Sequence, residues 1–189
     1  MAGTMGIWTP GVVALAVASV AAFTDIVEYR VRNILTLPLI VSGLVYHAVV
    51  GGSSGFAMSA GGFAFGLGVL IVPWLLGLMG AGDAKLLAGV GAWLGLSGTI
   101  VTFIAASAVT FLYATVLIVY RGKLSESLAL VKIIGYRFLA LGTYFGKDDL
   151  VEQCYAGPER RLRVIPFGAM VPVGIVSALL WFACTKGMY

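Results

Sequence analysis

Asp25 and Asp83 are the residues of this chain whose type and setting could do chemistry. Asp25 closes the apolar stretch Ala21-Ala22-Phe23-Thr24, and Asp83 interrupts apolar sequence in Gly80-Ala81-Gly82-Asp83-Ala84-Lys85. An ionisable group at hydrocarbon depth costs about 2.5–3.5 kcal/mol even on lenient insertion scales, so an acid kept there points to function. Two such acids facing each other across a water cannot both ionise cheaply. One keeps a proton and the other is free to accept one. The ionised member can deprotonate the water while its partner polarises a peptide carbonyl, giving hydrolysis without a metal or a covalent intermediate. Apparent pKa values then belong to the pair rather than to either residue. All of this requires a fold that brings both acids to one side of a bilayer.

The elements that must do so are membrane helices. Hydrophobic residues make up 60% of the 189 residues and charged residues only 11%, with a mean hydropathy of +1.03. That exceeds what the core of a soluble domain needs and indicates an integral membrane protein. The length suits one all-α bundle, residues 1–189 as a single domain, and the 26 glycines suit close helix packing. Apolar runs predict six transmembrane helices at about 7–24, 34–50, 56–79, 84–96, 100–120 and 164–185. Nothing basic precedes the first run and more membrane sequence follows it, so it reads as a span and not as a secretory signal.

Orientation follows from the basic residues. Arg30, Arg32, Lys85, Arg121, Lys123, Lys132, Arg137, Lys147, Arg160, Arg161 and Arg163 fall on one side of a six-span arrangement, and only Lys186 falls on the other. By the positive-inside rule the first side is cytoplasmic and both termini lie outside. Asp25 and Asp83 then share the cytoplasmic side. The turns at Gly51 to Gly55 and Ser97 to Thr99 carry no charge, as outer turns can. A seventh span at Leu124 to Phe145 would move Lys147, Arg160, Arg161 and Arg163 outside, so this stretch is expected as an amphipathic segment within a cytoplasmic loop, 121–163. The run after Asp83 has 13 residues, Ala84 to Leu96, about 20 Å of helix. If its far end reaches the outer interface, Asp83 sits below the cytoplasmic surface in a wet, protein-lined recess.

Other chemistries are poorly supported. The only histidine, His47, removes the histidine pairs of most metal centres, and Cys154 and Cys184 lie far apart without ligand spacing. No metal or cofactor is expected. The net charge of +4 reflects asymmetry across the membrane, and no nucleic-acid motif accompanies it. Gly95-Leu96-Ser97-Gly98 has the GxSG pattern of rhomboid serine proteases, but His47 precedes it and those enzymes need a later histidine. Asp83 as a plain helix cap, or Asp25 as an interfacial partner of Arg30 or Arg32, are the simpler structural readings. A proton-coupled transporter using the same two acids, or a non-catalytic assembly protein, are the competing functions.

Gly80-Ala81-Gly82-Asp83 matches the GxGD motif of intramembrane-type aspartic proteases. More broadly the chain resembles the type IV prepilin peptidases, in particular small members serving tight-adherence or type IV pilus systems. Asp25 followed by Arg30, Val31, Arg32 and Asn33 is similar to the family's first-aspartate loop, with Arg32 where proline is usual. Ile165-Pro166-Phe167-Gly168-Ala169 resembles its Pro-aromatic-Gly segment. The resemblance implies Asp25 and Asp83 as the catalytic pair, with Gly80, Gly82, Lys85, Arg30, Asn33, Pro166, Phe167 and Gly168 shaping the site. It implies prepilin or pseudopilin precursors as substrates in the bacterial inner membrane, cleaved at the cytoplasmic face. No cysteine-rich segment precedes Asp25, so methylation of the new N-terminus is not expected. Small-residue pairs, Gly62 with Gly66 and Gly91 with Gly95, suit packing within the chain or in a homodimer.

Overall fold

Apolar side chains run nearly unbroken through this sequence, so glycine decides where its helices stop. The computed structural model describes residues 2–28, 33–75, 79–121 and 167–186. They form α1 (Ala2–Glu28), α2 (Asn33–Leu75), α3 (Ala81–Arg121) and α4 (Phe167–Lys186). One residue leaves helical geometry in each of α2 and α3: Gly52 at φ 60°, ψ −145° and Gly95 at φ 68°, ψ −177°. A side chain at such angles costs on the order of 1–3 kcal/mol, so glycine is the residue that fits. The chain reverses at both places. Gly55 abuts the carbonyl of His47, although an unbroken helix would separate positions eight apart by about 12 Å. Across the second reversal, a side chain at Gly91 would lie 3.0 Å from Thr99 Oγ1.

The first arm of α3, residues 81–94, is the centre of the bundle. Every residue from Leu86 to Trp93 is buried, which is the behaviour of a helix apolar on all sides. Both arms of α2 flank it. Leu39 packs on Gly89 and Gly43 on Ala92, so the first α2 arm runs parallel to it. Gly66 packs on Leu87 and Gly62 on Gly91, so the second arm runs antiparallel. A side chain at Gly62 would collide with the Gly91 carbonyl, and one at Gly91 with that of Gly62. The small residues at these positions therefore serve packing within the chain. On the other side, α4 lays Gly174 against Thr102 and Ala106 of the second α3 arm. It also runs antiparallel to α1, with Leu179 at Gly11 and Gly168 at Asp25.

Hydrogen bonds join these helices where hydrocarbon gives no hydrophobic drive to association. Ser59 Oγ donates to the Ala92 carbonyl at 2.6 Å, Trp93 Nε1 donates to the Leu39 carbonyl at 2.9 Å, and His47 Nε2 lies 2.9 Å from the Trp93 carbonyl. The outer faces are apolar, including Val49, Phe111 and Tyr120. Among the described residues, three stretches are long and apolar enough to cross a membrane, Asn33–Leu75, Ala81–Tyr120 and Phe167–Thr185, and Thr9–Asp25 is a shorter apolar helix. The protein is an all-α membrane protein.

Three boundaries differ from the sequence reading. Each expected outer turn contracts to a single glycine, and the second falls at Gly95, ahead of Ser97, because Gly95 accepts the required angles. The helix expected from Ala84 begins at Ala81, which moves Asp83 from a turn into the first helical turn. The third expected span, 56–79, corresponds to the second arm of α2, and its stretch 76–78 lies outside the described residues. The expected loop 121–163 and its amphipathic segment lie outside the described residues beyond Arg121.

Candidate active site

Asp83 is the third residue of α3 and is held by the backbone on both sides. Its N–H donates to the Gly80 carbonyl at 3.1 Å, and the Gly80 N–H donates back to Asp83 Oδ2 at 3.3 Å. This reciprocal closure is the logic of a capping box, in which an acid at the third position satisfies the cap residue's free donor. Gly82 lies within the same turn. The other oxygen, Oδ1, accepts the Gly168 N–H from the first turn of α4 at 3.1 Å. Each donor to an ionised acid is worth about 1.5–3 kcal/mol. Two of them hold the Asp83 carboxylate in place. Capping is thus part of how Asp83 is held, and it leaves the acid facing α4.

Asp25, near the end of α1, comes to the same place from the opposite side. It is buried, at 8% exposure. The Ala169 backbone N–H faces its carboxylate, while Oδ2 has no hydrogen-bond partner among the described residues. Gly168 is where the two acids converge. A Cβ built on it would stand 2.9 Å from Asp25 Oδ2 and 3.1 Å from Asp83 Oδ1. Two oxygens that close to one point are within about 6 Å of each other, and two hydrogen bonds through one water span about 5.6 Å.

Among the described residues three helices begin at this end, α2 at Asn33, α3 at Ala81 and α4 at Phe167. Lys85 Nζ donates to Asn33 Oδ1 at 3.0 Å and ties the starts of α2 and α3 together. Chemically the arrangement offers one acid held by two backbone donors and a neighbour with an oxygen still unclaimed. That is the asymmetry a proton-sharing pair needs.

Of the residues singled out from sequence, Asp25, Asp83, Gly80, Gly82, Asn33, Lys85, Phe167 and Gly168 gather at this end of the bundle. Phe167 is buried beside the acids' meeting point, and Lys85 serves Asn33 through its ammonium. Arg30 and Pro166 lie outside the described residues. His47 sits towards the other end of the central helix, on Trp93. Ala169 is the contributor that sequence reasoning passed over, because it acts through a backbone N–H and no side chain announces it. Its only signal is its place after Pro166-Phe167-Gly168. Among the described residues no group of three or more His, Cys, Asp or Glu side chains could hold a metal ion.

Residues 12–115 match the type IV leader peptidase family. The match takes in Asp25, Asp83, all of α2 and most of α3, and α4 lies beyond it. No curated protein and no solved structure matches the chain.

Proposed function

Because the chain belongs to the type IV leader peptidase family, we propose that it is an aspartic endopeptidase that removes the basic leader from prepilin-like precursors, with Asp25 and Asp83 as the dyad. The observation that carries this reading is the convergence of both carboxylates on Gly168. Water between the acids gives a proton to the ionised member, and its oxygen attacks the scissile carbonyl carbon. The protonated member gives its proton to the carbonyl oxygen, so the tetrahedral intermediate is a neutral diol. As that intermediate collapses the C–N bond breaks, the amide nitrogen takes up a proton from the dyad, and a carboxylic acid and an amine leave. No step requires a cofactor.

The same reading places six crossings in the bacterial inner membrane. The chain reversals at Gly52 and Gly95 support it, since they turn α2 and α3 into paired arms. The distribution of Lys and Arg puts the dyad at the cytoplasmic face and both termini outside. Prepilin or pseudopilin precursors reach the dyad from that side.

Co-expression with a tagged prepilin tests the proposal directly. Leader removal appears as a size shift, and Asp25→Asn or Asp83→Asn abolishes it while the full-length chain still accumulates in the membrane. A size shift that survives both substitutions overturns the dyad assignment.

A further inference from the structure

The first turn of α4 lies beyond the segment that matches the family, yet it touches both acids. Gly168 gives its N–H to Asp83 at 3.1 Å, and the next amide, that of Ala169, faces Asp25. The two amides are consecutive, so one rigid element fixes two carboxylates that come from separate helices. Between those carboxylates the chain places a residue without a side chain. The position a Cβ would take, 2.9 Å from Asp25 Oδ2 and 3.1 Å from Asp83 Oδ1, is tighter than ordinary carbon–oxygen contact. It is also the volume a reacting water would share. Asp25 Oδ2, in a residue more than nine-tenths buried, points there without a partner among the described residues.

We infer that Gly168 and Ala169 are positioning residues for the dyad: their consecutive amides set the separation of Asp25 and Asp83, and the missing side chain at 168 keeps the space between them open. This rests on the dyad assignment above. Gly168→Ala keeps the amide and fills the space. Ala169→Pro does the converse, removing one N–H in a first helical turn where proline is tolerated. The two variants therefore separate the two parts of the inference.

The full-length protein is purified in detergent and assayed on a prepilin, with rates normalised to folded enzyme. Gly168→Ala is expected to lower kcat at least 100-fold with KM unchanged, and Ala169→Pro about 10-fold. Both displace the pH optimum, because the groups that titrate are the ones repositioned. Ser177→Ala, on the same helix, changes neither. Wild-type turnover in Gly168→Ala overturns the inference, as does a loss of rate in both variants that follows only the folded fraction with an unmoved pH optimum. If Asp25→Asn and Asp83→Asn also cleave normally, the dyad assignment has failed; if they are inactive, the positioning role alone has failed. A readout independent of turnover is a thermal-stability double-mutant cycle between Asp25→Asn and Ala169→Pro. Coupling is expected, and strict additivity overturns the amide contact.

Discussion

Gly168 donates its backbone N–H to Asp83 Oδ1 at 3.1 Å, joining positions 85 residues apart in the chain. That single bond docks the start of α4 onto the start of α3. It leaves Asp83 with one oxygen turned to its own helix cap and the other turned to α4 and Asp25. The site is therefore as well defined as the packing of α4, which Gly174 secures against Thr102 and Ala106.

Shared proton chemistry predicts non-additive losses. Asp25→Asn and Asp83→Asn each reduce kcat by more than about 10³, and the double variant is no slower than the worse single one, as for residues acting as a unit. Single-turnover rates on a purified prepilin check this. Independent, multiplying losses would argue that the two acids do not act together.

The same pairing fixes the form of the pH profile. At low pH both acids are protonated and no base is left for water, and at high pH both are ionised and no acid is left for the carbonyl. Activity measured across pH on folded enzyme is therefore bell-shaped, its two limbs belonging to the pair. A single sigmoid would mean that one ionisation suffices.

Lys85 spends its charge on Asn33 Oδ1, so it is expected to act as a strut between helix starts. Lys85→Gln can keep a hydrogen bond to Asn33 and should retain at least about a third of wild-type cleavage. Asn33→Ala should lower stability by about 1 kcal/mol. A loss in Lys85→Gln as severe as in the aspartate variants would instead assign the ammonium to the reaction.

Gly95→Ala tests the reversal that splits α3. At φ 68°, ψ −177° an alanine costs on the order of 1–3 kcal/mol, read as a lower unfolding temperature in detergent. Gly62→Val should cost as much or more, since its side chain meets the backbone carbonyl of Gly91 and backbone cannot yield as a side chain can. Wild-type stability in both variants would contradict the arm-to-arm packing described for α2 and α3.

Much of this was legible from the chain itself. Membrane helices follow from uninterrupted apolar sequence, and the two acids stand out because hydrocarbon makes any carboxylate expensive. The positions of the reversals were legible to within a few residues, because uncharged glycine-rich breaks mark them. Their reduction to Gly52 and Gly95 was not, since several neighbouring residues satisfy the composition of a turn and only one takes the positive φ. Asp83 was expected in a turn for a similar reason: a cap bond from Gly80 draws Ala81 and Gly82 into the helix, and propensity alone favours leaving glycine outside it.

The sequence by itself determined that the protein lives in a bilayer and that Asp25 and Asp83 are its anomalous acids. Residue type and hydropathy carry that information locally. Only the tertiary structure decided that α3 supplies the central helix and that both acids meet at Gly168. It alone brought the Gly168 amide to Asp83 and set the neighbouring Ala169 amide facing Asp25. Backbone donors are the same in every residue but proline, so which of them reaches a carboxylate is settled by helix packing and leaves no mark in the order of side chains.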